Sequence, residues 1–467
     1  MKFKRTIVLV LVTMMSFSFS ACTKAGSEDI SSDASTQSQS EQNQKVDFEA
    51  EEIAQRFVSD FVNRDYESLL SKYSYSEDMK ALFSRETMEE VSGQIEKSYG
   101  LSTRISGVKI QERAEFLIVT IGVAFPDAAL AYNVVFSYDG KLSGFNYNEI
   151  ASIESFFGVA LEGATEIEVT FGDEDFLIEG TLSVPNQNKD SYPVAILIHG
   201  SGRHDRDQPI YGNKPFRDIT EGLIKNGIAV LRYDKRTMTH NQKYTDITLL
   251  NNLTIYDEVI DDAVYAVEFL KKHEAIDQNS IFIIGHSLGG NQAPRIAEIS
   301  SDVAGIAILA GNVTPMQDMI VTQYEYLLGI DGSYSDKDNE QLDTIRKAVA
   351  LINSTQLTLE TDPSETLGLS PKYWMDIRAY DPIQVAQSLD RPILILQGGR
   401  DYQVTTDELE KWKNGLGDKA SYKLYEDLNH LFIKGEGPSV PAEYTKAGKV
   451  SNEMIEDLAS WLLSNIK

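Results

Sequence analysis

Residues Ser280 to Ala297, reading SIFIIGHSLGGNQAPRIA, constrain this chain more than any other stretch. Ile281 to Ile284 is an apolar run of the buried-strand kind, and Asn291 onward reads as helix. Between them lies Gly285-His286-Ser287-Leu288-Gly289, a Gly-x-Ser-x-Gly turn between strand and helix. Such a turn is so tight that its central residue is strained and its side chain projects from the top of a sheet. Side chains at Gly285 and Gly289 would collide with the neighbouring strand and helix. Ser287 is therefore the candidate nucleophile, and a sheet carrying it must also supply its partners.

A serine hydroxyl is a poor nucleophile until a base, usually an oriented histidine, takes its proton. Six histidines are available. His286 adjoins Ser287 and points away from it in such a turn. His199, His204 and His240 precede the serine, and His273 ends a helix before its strand, whereas this architecture runs in the order Ser, acid, His. Only His430, in Asp427-Leu428-Asn429-His430-Leu431-Phe432, lies downstream, and it is the expected base. The orienting acid should follow a strand between the two. Arg391 to Leu396 is that strand, and Gln397-Gly398-Gly399-Arg400-Asp401 turns into a carboxylate. Asp401 is preferred to Asp381, which precedes its strand and would sit at the wrong end. The oxyanion of a tetrahedral intermediate needs donors. The expected ones are the N–H of Leu288 and one from Ile198-His199-Gly200-Ser201-Gly202, with Ser201 favoured and Gly202 next.

At 467 residues the chain exceeds a single core, so more than one domain is expected. Alternating strand-like and helix-like runs from Glu166 to Asn465 imply a mainly parallel sheet with helices on both faces, an α/β fold over residues 164–467. The interval from Gly311 to Asp390 holds about eighty residues where a short crossover would suffice. Helical patterns over Thr314 to Leu328 and Lys337 to Ile352 make 312–380 a helical lid insertion. Its Met316, Met319, Tyr324, Tyr326 and Trp374 either line a substrate channel or form the lid's own core. The charge-dense Arg203 to Pro209 either recognises a polar substrate group or orders its loop through internal ion pairs. Asp234-Lys235-Arg236 carries the same two readings.

Residues 46–150 read as a small α+β domain. Helical spacing covers Phe48 to Val62 and Glu86 to Tyr99. Strand patterns follow at Gly107 to Gln111, Phe116 to Ala124, Ala131 to Ser137 and Leu142 to Tyr147, the last pair joined by a Tyr138-Asp139-Gly140 hairpin turn. No catalytic constellation occurs there. Residues 23–45, rich in Ser, Gln, Glu and Asp, cannot bury a core and are expected to be a disordered tether. Lys2, Lys4 and Arg5 precede an apolar Thr6 to Phe19 and then Ser20-Ala21-Cys22, so residues 1–22 read as an export signal. The single cysteine excludes a disulfide framework and a cysteine-built zinc site. A formal charge of −28 excludes nucleic acid or a bare anionic membrane as partner. No cofactor or metal is expected.

Taken together, His199-Gly200-Ser201-Gly202, Gly285 to Gly289, Gly399-Arg400-Asp401 and Asn429-His430 resemble the serine-dependent α/β-hydrolases. Arg206-Asp207 with Asn213 to Asp218, and Arg232 to Arg236, resemble the branch of secreted bacterial esterases related to dienelactone hydrolases and acyl-CoA thioesterases. The match spans roughly residues 165–467. A serine nucleophile in place of that branch's dienelactone-hydrolase cysteine speaks against that exact activity. The α+β domain resembles nuclear-transport-factor-2-like (NTF2-like) folds and an uncharacterised domain found ahead of secreted hydrolases. The first 22 residues resemble a bacterial lipoprotein signal, which implies a lipid on Cys22 and a cell-surface protein; an ordinary export signal is the alternative. The resemblance implies hydrolysis of carboxylic esters, and a lidded site on an exported, tethered protein suggests small or medium ones. A prolyl-oligopeptidase-type peptidase, an acyltransferase, and a binding module with a degenerate hydrolase are the alternatives.

Overall fold

The computed structural model describes residues 40–466, apart from 113–115, 127, 151–152, 154–155, 157–160, 188, 241–242, 246 and 331. The expected export signal, Cys22 and nearly all of the expected tether lie outside the described residues. The tether's last residues differ from expectation. Helix α1 runs Ser40–Val62 and so includes residues 40–45. Glu, Gln and Lys are good helix formers, and a helix already nucleated on an apolar face can extend through them.

The first domain adds helices α2 (Tyr66–Ser71), α3 (Glu77–Leu82) and α4 (Arg85–Tyr99). Strands β1 (Arg104–Glu112), β2 (Phe116–Ala124), β3 (Ala129–Ser137) and β4 (Leu142–Ile150) form an antiparallel meander in sequence order. The β3–β4 turn has Gly140 at φ 79°, which a glycine reaches without a Cβ penalty. Phe57 and Phe61 of α1 pack edge-on against Phe145. This domain therefore closes its own aromatic core.

The second domain is an eight-stranded sheet. Its strands are β5 (Ala164–Gly172), β6 (Leu177–Pro185), β7 (Tyr192–Ile198), β8 (Ala229–Tyr233), β9 (Ile276–His286), β10 (Val303–Leu309), β11 (Ile393–Gly398) and β12 (Ala420–Tyr425). They lie in the order β12-β11-β10-β9-β7-β8-β6-β5. Pairings from β12 through to β8 are parallel, while β6 pairs antiparallel with β8 and with β5. Side chains alternate between faces as the pleat requires. Ile196, Ile198, Ile281, Ile283, Ile306 and Ile308 enter the core shared with α6 (Asp261–Leu270), α7 (Leu288–Ile299) and α12 (Thr406–Leu416). Ala195, Leu197, Phe282, Ile284, Ala307 and Leu309 face α5 (Pro215–Lys225) and α13 (Asn452–Ser464). Helices α5 and α12 lack a counterpart in the sequence reading; α5 begins within the Asn213 to Asp218 motif, which drew attention for another reason.

The insertion between β10 and β11 is helical: α8 (Met316–Leu328), α9 (Asp336–Asn353), α10 (Pro371–Ala379) and α11 (Pro382–Ser388). Buried Glu408 of α12 ties down its root by accepting from the N–H groups of Val313 and Thr314, each at 2.7 Å, and from the Thr314 hydroxyl at 2.6 Å. Trp374 is fully buried and donates to the Thr366 carbonyl at 2.7 Å. Met319 and Tyr324 are buried as well. Of the residues left open between channel and core, these three are core.

Candidate active site

Register decides what meets what. In this parallel sheet Ile198 lies opposite Gly285, His286 opposite Leu309, and Leu309 opposite Leu396. The carboxyl ends of β7, β9, β10 and β11 therefore emerge along one edge, where open parallel sheets place their ligands. The loops carrying Ser201, Ser287 and Asp401 leave from that edge, and the loop carrying His430 follows β12 beside it.

Ser287 stands at φ 55°, ψ −118°, between β9 and the first turn of α7. A non-glycine residue in this region costs on the order of 1–3 kcal/mol and persists only where its surroundings dictate it. Here they do. The Ser287 N–H donates to the Leu309 carbonyl at 2.9 Å. A Cβ on Gly285 would come within 2.1 Å of the Gly289 carbonyl oxygen. One on Gly289 would lie 2.4 Å from the Ile198 carbonyl oxygen, and one on Gly200 3.2 Å from the Ser287 Cβ. Both elbow glycines are thus fixed by close approach, and the oxyanion-loop glycine lies in tight contact with the nucleophile. The N–H of Leu288 belongs to the first turn of α7, where no intrahelical acceptor exists and the helix dipole favours negative charge.

The His430 Nδ1 lies 2.6 Å from Asp401 Oδ2, and both residues are buried. The other carboxylate oxygen of Asp401 accepts from the N–H groups of Gln403 at 2.8 Å and Val404 at 3.0 Å. A buried carboxylate needs such donors to replace its water. With Nδ1 engaged, Nε2 is the nitrogen of His430 left to act on a substrate-side proton. Asn429 shapes this loop by accepting from the N–H groups of Leu431 at 3.0 Å and Ile433 at 3.1 Å. Asp381 instead caps α11, accepting from the N–H groups of Ile383 and Gln384 at 3.0 and 3.1 Å.

Two residues outside the expected set join the loops. Gln208, buried and at φ 50°, accepts from the Gly200 N–H at 2.8 Å, which removes Gly200 as an oxyanion donor. Its amide Nε2 donates to His286 Nδ1 at 2.7 Å, and His286 Nε2 in turn donates to the His430 carbonyl at 2.8 Å. His286 can fill both roles only as the neutral ring. Burial, followed by the His430 ring beside it, lowers its pKa to about 3. The oxyanion loop, the elbow and the His430 loop are thus stitched together by one amide and one imidazole. Gln208 lies in the Arg203 to Pro209 stretch, noticed for its charges and not for this amide; the His286 position drew notice only as the neighbour of Ser287.

The remaining histidines are accounted for. His199 Nε2 bonds the Asp205 carbonyl at 3.0 Å, His204 Nε2 the Ser201 carbonyl at 2.9 Å, and His240 Nε2 the Leu177 carbonyl at 2.7 Å. His273 Nδ1 accepts from the Ala275 N–H at 3.3 Å. The charge-rich segments read as internal networks. Arg206 grips Asp234 with Nη2 at 2.9 Å and Nε at 3.2 Å, and it also meets Glu168 at 2.7 Å. Asp207 pairs with Arg232 and Lys214, and Arg236 with Asp262. Buried Lys235 donates to the Gly200 carbonyl at 3.0 Å and to Glu258 at 2.7 Å. Tyr373 of the lid donates to the other oxygen of Glu258 at 2.7 Å. Tyr326 stacks on Tyr402, the neighbour of Asp401, with ring centroids 5.1 Å apart.

The chain is similar to proteins already described. A family described as serine aminopeptidase, S33, matches residues 194–436, and one described as a protein of unknown function, DUF3887, matches residues 54–145. Esterase EstD of Thermotoga maritima is 31% identical over 413 residues, covering 87% of this chain and 94% of that protein. Among solved structures, Est1E from Butyrivibrio proteoclasticus aligns with a TM-score of 0.42 at 16% identity, covering 64% of this chain and 98% of its own. Dienelactone hydrolase from Anabaena variabilis aligns with a TM-score of 0.38 at 15% identity, covering 66% and 100%.

Proposed function

The chain belongs to the hydrolase family described as serine aminopeptidase S33, and from that premise we propose that it hydrolyses carboxylic esters through Ser287, His430 and Asp401. The observation that carries this reading is the buried Asp401–His430 pair at 2.6 Å, on a loop bonded to the elbow that strains Ser287. The 31% identity to a protein named an esterase supports the ester as substrate class.

In the proposed reaction the Ser287 hydroxyl adds to the ester carbonyl while His430 Nε2 takes its proton. Asp401 holds the Nδ1–H tautomer and stabilises the imidazolium that forms. The oxyanion is received by the Leu288 N–H and by the N–H of Ser201, with Gly202 the next candidate. His430 then protonates the departing alcohol. Water, activated by the same ring, releases the acid and restores the serine. Small or medium acyl groups are the proposed substrates, read from the helical insertion after β10, which reaches the Asp401 loop through Tyr326 stacked on Tyr402.

A fluorophosphonate probe should label the protein, and Ser287→Ala should abolish labelling; an unlabelled native protein would favour a binding module with a spent hydrolase fold. p-Nitrophenyl acetate and butyrate should turn over faster than a proline-containing peptide anilide. Faster cleavage of the anilide would favour the peptidase reading, which the family's description keeps in view. A series of acyl esters of increasing length then sets the chain-length preference. For location, the proposal is export and lipid anchorage at Cys22, supported by the basic, apolar and small-residue order before it. Incorporation of labelled palmitate that survives Cys22→Ser would sink that part.

A further inference from the structure

The turn Ile210–Asn213 lies where both domains and both sides of the site meet. It is a tight turn closed by reciprocal backbone bonds, from the Ile210 N–H to the Asn213 carbonyl at 3.0 Å and from the Asn213 N–H to the Ile210 carbonyl at 3.1 Å. Tyr211 at its tip sits at φ 53°. Gln208, two residues before the turn, sits at φ 50°, and Gly202, eight residues before it, at φ 96°. Non-glycine residues at positive φ persist only when held from outside. On one side the hold comes from Asn213, whose amide donates to the Tyr444 carbonyl at 2.8 Å and accepts from the Gly448 N–H at 2.8 Å.

On the other side the hold comes from the first domain. A Cβ on Gly212 would fall 1.8 Å from the Glu149 carbonyl oxygen and 2.9 Å from the Ile150 Cα, both at the end of β4. Backbone thus lies directly on backbone, and no side chain fits between. Lys214, just past the turn, donates to the Phe156 carbonyl at 2.6 Å and pairs with Asp207 at 3.1 Å. Lys109 of β1 stands 3.7 Å from Asp205. The same loop carries the Gln208 amide that fixes Gly200 and His286.

We infer that the first domain is a positioning element for the hydrolytic site. The end of β4 seats the Ile210–Asn213 turn, and the turn sets Gln208, which holds the oxyanion loop and, through His286, the His430 loop. Gly212 is the positioning residue at this contact. The inference rests on the ester-hydrolase reading for its readout, and the test separates the two.

Gly212→Ala in the full chain places a methyl where the Glu149 carbonyl lies. Its kcat should fall about 10- to 100-fold with KM within about threefold, because misplacement of roughly 1 Å is felt in the transition state. Affinity for phenylboronic acid, which forms a tetrahedral adduct on the serine, should fall in parallel. If the effect runs through Gln208, then Gly212→Ala combined with Gln208→Ala should be no slower than Gln208→Ala alone. Should Gly212→Ala fail to melt cooperatively, Ile150→Ala is measured instead, since it loosens the packing that holds the end of β4 against Ala129, Ala131 and Ile153, and the same parallel loss is expected. Wild-type kcat and boronate affinity in the folded variant, or full additivity in the double variant, would overturn the inference. A wild-type protein that turns over no ester overturns the functional reading alone. In that case the fluorophosphonate labelling rate, still expected to fall in Gly212→Ala, decides the positioning role.

Discussion

At the scale of single residues, the site depends on groups whose buried partners leave no alternative arrangement. Asp401→Asn keeps the shape of the acid but reverses its preference for a donor at His430 Nδ1, so the ring flips to the unproductive tautomer. A loss of about 10⁴-fold in kcat is expected, with little change in KM, read by initial rates on p-nitrophenyl butyrate. Gln208→Glu can still accept from the Gly200 N–H but cannot donate to His286 Nδ1. His286 should then take up a proton at higher pH, and an NMR titration of its ring would show that rise; an unmoved titration would contradict the bond seen at 2.7 Å. The elbow tolerates less. Gly289→Ala puts a carbon 2.4 Å from the Ile198 carbonyl oxygen, backbone that cannot yield, so soluble folded protein should be lost.

At the scale of elements, the lid shares the main core through side chains such as Ile320, Tyr324 and Trp374, and buried polar contacts pin its root. Glu408 is 2% exposed and satisfies two backbone N–H groups and the Thr314 hydroxyl at the lid's root. Glu408→Ala would leave these donors buried without an acceptor, at a cost of about 1–3 kcal/mol for each that water cannot reach. Urea unfolding should therefore show a loss on the order of 3 kcal/mol. A loss below about 0.5 kcal/mol, the size of an ordinary surface substitution, would show that the lid does not need this tether.

At the scale of the whole molecule, three histidines are held neutral by burial. His286 is lowered to about 3, His204 to about 4, and His199 well below its usual value. Each takes up a proton on unfolding once the pH drops below about 6.5, so the stability they contribute is complete above that pH and is lost as pH falls toward their folded values. Each contributes a slope of about 1.4 kcal/mol per pH unit within its window. Raised carboxylates act in the opposite sense, with burial the largest cause. Asp218, at about 6, gains stability as pH falls from there toward its unfolded value near 4. Asp205, Asp261 and Asp262 are raised too. The histidine window opens first, so the melting temperature should hold steady above about pH 6.5 and begin to fall between pH 6.5 and 6; a rise over that interval would contradict the neutral histidines.

Much of this molecule was legible in the order of its residues. Local rules sufficed for the Gly-x-Ser-x-Gly turn, for the alternation of buried strands and helices, and for the insertion after β10, because each is encoded within a few consecutive positions. Elimination along the chain pointed to His430 and Asp401, and the fold puts the two side by side. Helix α5, the N-terminal extension of α1 and the core role of Trp374 were not legible. Their signals are short, or depend on what lies across the core. Least visible were Gln208, His286, Lys235 and Gly212, whose significance comes from partners up to 144 residues away in the chain, as in the bond from His286 to the His430 carbonyl. Sequence alone determined which chemical groups and which sheet were present. Only tertiary structure decided which loops hold one another in place, because hydrogen bonds between distant segments form after strand register is set and leave no periodic trace in the chain.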